Sequence, residues 1–275
     1  MEIKTGGVSI HVEIDEKLLG KGLMPILFLH GFTGSSPEWE FIFNKLPAGF
    51  LPLAIDIIGH GRSDSPENIE HYSAAAISSQ IEDVIKSLQF RKLILCGYSM
   101  GGRAALSFYS NFPQYAAGLI LESTTPGIED EILRNNRIKS DELLALKIEE
   151  EGVEKFGNYW VNLPMFQGLK LMPEEEYLKL LKDKWRNNKT GLINSLIGFG
   201  TGSMPVLWDT IKRINIPSLL ITGQYDDKFT AINERMNELI PGSRHIIARE
   251  CGHNIHLEKP SEFINFVNNF LADNF

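Results

Sequence analysis

The sequence predicts an α/β fold: a mostly parallel sheet with helices on both faces and an inserted helical cap. Two patterns carry this reading. Short apolar, β-rich runs alternate with helix-length amphipathic segments, as in a parallel sheet covered on both sides. From about Thr124 to Thr210 that rhythm gives way to charged, helical sequence without an obvious strand, which marks an insertion. In chain order, strands are expected at Ile26 to Leu29, between Pro25 and His30-Gly31, and at Leu53 to Ile55, Leu93 to Cys96, Leu119 to Leu121, Leu219 to Thr222 and His245 to Ala248. Ala74 to Leu88 should be a helix, because Ile77, Ile81, Val84, Ile85 and Leu88 share one face; Gly102 to Tyr109 should be another. Within the insertion, Glu129 to Glu151 and Pro173 to Arg186 read as helices, and Ser261 to Leu271 closes the chain as an amphipathic helix. The expected organisation is therefore a core of residues 1–123 and 211–275 interrupted by a cap of residues 124–210.

Composition narrows the class. With 275 residues, 43% hydrophobic and 23% charged, the chain can bury a sizeable core, and disorder, collagen and a disulfide scaffold are excluded. The net charge of −8 repels nucleic acid and anionic membrane surface, so an anionic small molecule would need a local cationic site. Two distant cysteines, Cys96 and Cys251, fit a reducing compartment, and no metal-ligand spacing occurs. No targeting segment or apolar run of membrane-spanning length is seen, so a soluble, cytoplasmic protein is expected. The sequence leaves the oligomeric state open.

The chemistry gathers around Gly97-Tyr98-Ser99-Met100-Gly101-Gly102, between an expected strand and an expected helix. A serine on so sharp a turn has a strained backbone, and residues without Cβ on either side let the turn close while Oγ projects above the sheet. A serine hydroxyl needs a base, and the acid and histidine should follow it in the order Ser, Asp, His. Strand Leu219 to Thr222 runs into Gly223-Gln224-Tyr225-Asp226-Asp227, and His245 to Ala248 is followed by Cys251-Gly252-His253-Asn254. Asp226 and His253 are the expected acid and base, with Asp227 the alternative acid. Asp226 would hold the imidazole tautomer while His253 Nε2 takes a proton. His256 reads as part of a helix start, and His11, His30, His60, His71 and His245 as structural or surface groups. Backbone N–H groups of Met100 and of Phe32, in the loop His30-Gly31-Phe32-Thr33-Gly34, are the expected oxyanion hole. The glycine-punctuated loop Asp56 to Asp64 should brace the site.

Together these signals resemble the α/β-hydrolase superfamily over nearly the whole chain. Finer motifs resemble one branch, the 2-succinyl-6-hydroxy-2,4-cyclohexadiene-1-carboxylate synthases of menaquinone biosynthesis. They are Gly97 to Arg103, Glu122-Ser123-Thr124-Thr125-Pro126-Gly127, Arg137 to Asp141, Trp160 with Pro164-Met165-Phe166, Arg186-Asn187-Asn188, and Gly200 to Pro205. The resemblance implies a lyase on a hydrolase scaffold, expelling pyruvate from a tricarboxylate without cofactor or metal. It implies substrate contacts from Tyr98, Arg103, Arg137, Trp160 and Arg186, with Arg134 an alternative to Arg137. Arg103 lies one helical turn beyond Ser99 on a helix expected to be buried, so its guanidinium requires a protein carboxylate or an anionic ligand beside it. Two other readings share the triad and the fold: a carboxylesterase or carbon–carbon bond hydrolase, and a ligand receptor.

Overall fold

The computed structural model describes residues 1–275. Eight strands form one sheet: β1 (Glu2–Thr5), β2 (Val8–Ile14), β3 (Met24–Leu29), β4 (Phe50–Ile55), β5 (Leu93–Tyr98), β6 (Ala116–Glu122), β7 (Ser218–Gly223) and β8 (Arg244–Ala248). Their spatial order is β1-β2-β4-β3-β5-β6-β7-β8, parallel from β4 onward, with β1 and β2 antiparallel at one edge. The six expected strands all form, each extending a little past its apolar centre. The hairpin β1–β2 had not been expected. Its turn is Gly6-Gly7, both at positive φ, which joins Thr5 and Val8 as a two-residue hairpin loop requires.

Alternation along each strand divides the core between the two faces of the sheet. Leu93 and Leu95 of β5 pack with the helices Ala74–Ser87 and Met100–Asn111, whereas Ile94 and Cys96 pack with Trp39 and with Phe263 and Val267 of the helix Pro260–Asn274. The parallel strands all end at the same edge, and the loops that leave it carry Phe32, Ser99 and Asp226. No helix is long and apolar enough to cross a membrane.

Between β6 and β7 every regular element is a helix. The first cap segment, Glu131–Val161, runs beyond the expected end at Glu151 and is broken by Gly152, at φ 81° and ψ 167°. Past the break, Phe156 stacks on Trp160, and both rings meet Phe32 of the core edge-on, at centroid distances of 6.2 and 5.2 Å. The turn Pro164–Leu171 and the helices Glu174–Trp185 and Lys189–Phe199 complete the cap. One buried ion pair ties it down: Lys184 Nζ donates to Glu38 Oε1 at 2.9 Å, with side chains only 7% and 6% exposed. Removing one partner of such a pair leaves the other charge buried and uncompensated. Glu38→Gln should therefore lower stability by about 3 kcal/mol, whereas Glu38→Gln combined with Lys184→Met should recover most of the loss; urea denaturation midpoints test both.

Candidate active site

The turn from β5 into the helix Met100–Asn111 holds Ser99 at φ 50° and ψ −104°, a conformation that costs a non-glycine residue about 1–3 kcal/mol. The surroundings enforce it. Ser99 N–H donates to Glu122 O at 2.8 Å, and Thr124 Oγ donates to Ser99 O at 2.8 Å. A Cβ on Gly97 would lie 2.4 Å from Gly101 O, and one on Gly101 would lie 2.0 Å from Leu29 O, so neither position admits a side chain.

Three side chains from separate loops then meet in line. His253 Nδ1 lies 2.6 Å from Asp226 Oδ2, and His253 Nε2 lies 3.1 Å from Ser99 Oγ. Pairing of Nδ1–H with the carboxylate leaves Nε2 as the acceptor facing the serine, the tautomer a general base needs. Asp226 is buried, whereas the alternative acid Asp227 is exposed at the start of the next helix. Phe229, Tyr98 and Phe166 surround the imidazole, with centroids 4.6 to 5.7 Å away. Glu258 had not been singled out, yet its carboxylate accepts N–H groups on both sides of His253, from Gly252 at 2.7 Å and Asn254 at 3.2 Å.

The amides of Phe32 and Met100 donate to no other backbone group, and both residues line the pocket above Ser99. Their loops are braced from below. His30 Nε2 accepts Ile57 N–H at 2.9 Å, so Nδ1–H must donate to Gly31 O at 2.8 Å; burial holds this imidazole below its usual pKa and keeps it neutral. Asp56 accepts Ser36 N–H at 2.6 Å and Arg62 N–H at 2.8 Å, joining the Phe32 loop to the Asp56–Asp64 loop. His256 is also structural, bonded through Nδ1 to both oxygens of Glu122 at 2.9 Å.

The pocket encloses about 220 Å³ and is apolar on one side, where Phe32, Trp160 and Phe166 meet, and cationic on the other. Arg103 is only 8% exposed, donates to Phe199 O and lies over the Phe199 ring at 4.9 Å, yet pairs with no carboxylate. Burial, and secondarily the neighbouring Arg137 cation, pushes its pKa down. A guanidinium resists giving up its proton, so this cost appears as an unmet demand for an anion. Arg137 also lines the pocket, with Nε donating to Asp141 at 2.8 and 3.0 Å, while Arg134 turns toward Ile128 O. Lys228 adds a third cation at the rim, its pKa lowered by partial desolvation and then by Arg137.

One expectation needs correction. Arg186 is absent from the pocket: its side chain is 78% exposed and bonded to Asp183 at 3.1 Å, because the end of the helix Glu174–Trp185 turns Lys184 and Asn187 inward instead. Arg186→Ala should therefore leave KM within about twofold of the parent value in steady-state assays. Tyr98 lines the pocket, and its hydroxyl donates to Asn254 Oδ1 beside His253. No group of three or more His, Cys, Asp or Glu side chains is arranged to hold a metal.

Comparison with known proteins bears on the family. A family model described as the alpha/beta hydrolase fold matches residues 24–260. The 2-succinyl-6-hydroxy-2,4-cyclohexadiene-1-carboxylate synthase of Enterobacter sp. (strain 638) is 33% identical over 86% of this chain and 87% of its own length. A Bacillus subtilis (strain 168) protein provisionally named as the same synthase is 42% identical, over 90% of each chain. The structure of MenH from S. aureus superposes with a TM-score of 0.89 at 31% identity, covering 96% of this chain and 98% of that one. A thermophilic esterase from Thermogutta terrifontis reaches a TM-score of 0.84 at 21% identity over 99% and 98% of the two chains, which shows the shared fold alone.

Proposed function

Because this chain belongs to the α/β-hydrolase fold family and, within it, to the 2-succinyl-6-hydroxy-2,4-cyclohexadiene-1-carboxylate synthases, we propose that Ser99, His253 and Asp226 catalyse an elimination here and not a hydrolysis. The protein is a lyase of menaquinone biosynthesis: it releases pyruvate from 2-succinyl-5-enolpyruvyl-6-hydroxy-3-cyclohexene-1-carboxylate. One observation carries the mechanistic reading. A buried, carboxylate-free Arg103 stands one helical turn from Ser99, with Arg137 and Lys228 on the same pocket. Such a site suits a substrate with three carboxylates and would be a burden to an enzyme for neutral esters. Free, buried Cys96 and Cys251 suit a cytoplasmic setting.

The reaction runs as follows. The Ser99–His253 pair removes the ring proton alpha to the succinyl ketone, and Asp226 stabilises the imidazolium that forms. The C–H electron pair becomes an enolate, whose oxygen receives the Phe32 and Met100 N–H groups. Collapse of the enolate through the ring double bond breaks the carbon–oxygen bond to the enolpyruvyl group, which leaves as pyruvate enolate and takes up a proton. Ser99 never becomes acylated.

That last point is testable. In oxygen-18 water all three product carboxylates should remain unlabelled, and deuterium at the ring carbon alpha to the ketone should slow kcat if proton removal limits turnover. Short-chain esters should be hydrolysed slowly, since they use the triad but not the cations. Acyl-enzyme accumulating from the natural substrate, or ester turnover exceeding pyruvate release, would install the hydrolase reading instead.

A further inference from the structure

We infer that Asn187 is a positioning residue through which the cap sets the oxyanion loop, an inference that rests on Phe32 N–H being an oxyanion donor. Asn187 lies in the short link between the helices Glu174–Trp185 and Lys189–Phe199, and it is only 6% exposed. Its side chain is fully engaged. Nδ2 donates to Thr33 O at 2.8 Å and to Lys184 O at 3.1 Å, while Oδ1 accepts Gly61 N–H at 3.0 Å. Two carbonyls on one end and an N–H on the other allow only one orientation of the amide.

The partners are not ordinary cap contacts. Thr33 directly follows Phe32 and sits at φ 67°, a left-handed conformation uncommon for a β-branched residue. A loop held in such a conformation reverts unless its surroundings hold it. Asp56 and His30 hold this loop from the core side; the Asn187 amide holds the Thr33 carbonyl from the cap side. Through Gly61 the same amide joins the Asp56–Asp64 loop, so one cap side chain ties together two loops of the core. The neighbouring Lys184–Glu38 pair fixes the helix end from which Asn187 projects. The oxyanion loop is thus complete only while this end of the cap is seated.

Asn187→Asp tests this. The carboxylate still accepts Gly61 N–H but presents an oxygen to Thr33 O where a donor is needed. Kinetics with the natural substrate should show kcat lowered by about 10- to 100-fold with KM within about threefold, as expected when an oxyanion donor is misplaced. A second probe is phenylboronic acid. Ser99 Oγ forms a bond to boron, the serine proton passes to His253, and the resulting tetrahedral anion presents an oxygen to the oxyanion donors. Its Ki should rise by a similar factor, while affinity for the cyclohexadiene product stays within about threefold. Asn187→Ser, smaller and uncharged, carries the same measurements if the aspartate variant does not fold. Unchanged kcat and boronate Ki in a folded variant would overturn the inference. Parallel losses in kcat, KM and product affinity would also overturn it, since they would mean that Asn187 only supports the cap. Boronate binding needs no lyase substrate, so failure of the parent to release pyruvate would refute the elimination reading while leaving this one standing.

Discussion

Ser99→Ala, His253→Ala and Asp226→Asn should each lower kcat by at least about 10²-fold, and any two together should cost little more than the worse single change. The geometry explains the non-additivity. His253 has one partner on each ring nitrogen, Asp226 at 2.6 Å and Ser99 at 3.1 Å, so removing either end disables the same proton transfer. Asp226→Asn is informative because it keeps the shape: an amide that donates to Nδ1 forces the proton onto Nε2, where it can no longer accept from serine. Asp227→Asn, on an exposed side chain, should be silent. Circular dichroism should show all variants folded, since the sheet ladder and the apolar layers on its two faces remain intact. Near-parent turnover in His253→Ala would remove the base assignment.

Arg103→Lys should be nearly as damaging, with kcat/KM reduced by about 10²-fold at unchanged net charge. The guanidinium serves two ends at once, donating to Phe199 O over the Phe199 ring while carrying a charge that no protein carboxylate neutralises. A lysine ammonium cannot form the planar fork that grips a carboxylate in bidentate fashion. Arg137→Ala should chiefly raise KM, with an added twist from Asp141. That carboxylate is 2% exposed and acts electrostatically on both arginines, but only Arg137 bonds to it. Once Arg137 is gone, Asp141 becomes free to neutralise Arg103, so Arg137→Ala should recover part of its loss when combined with Asp141→Asn. Unchanged kinetics in the Arg103 and Arg137 variants would mean that neither guanidinium meets substrate.

How much of this site could be read beforehand follows from where its signals lie in the chain. Ser99 directly follows β5, and Asp226 and His253 lie in the loops that leave β7 and β8, so local pattern places each of them at the same edge of a parallel sheet. Glu258, Lys228 and Asn187 carry no such mark. Glu258 reads as an ordinary helix charge until the loop folds over it, and Asn187 acts on residues 126 and 154 positions away. The misplacement of Arg186 has the same origin. The motif Arg186-Asn187-Asn188 points toward the core, but helix phase decides which of its side chains enters, and the helix ends just before it. The β1–β2 hairpin went unread because a four-residue strand is too short to announce itself by alternation, even with Gly6-Gly7 marking its turn.

The break at Gly152 has a geometric consequence for the pocket. An unbroken α-helix of the 31 residues Glu131–Val161 would be a rod about 46 Å long, and its far end would carry Trp160 away from the sheet. At φ 81° and ψ 167° the chain instead takes a direction open almost only to glycine, although no atom lies within 4 Å of where a Cβ would stand. Backbone preference alone, with no steric neighbour, folds the second arm back so that Trp160 lines the pocket that holds Ser99. The roof height is therefore encoded in the torsion angles of one half-buried glycine that does not itself line the pocket. The size of substrate that fits beneath it could be retuned there without altering a single lining side chain.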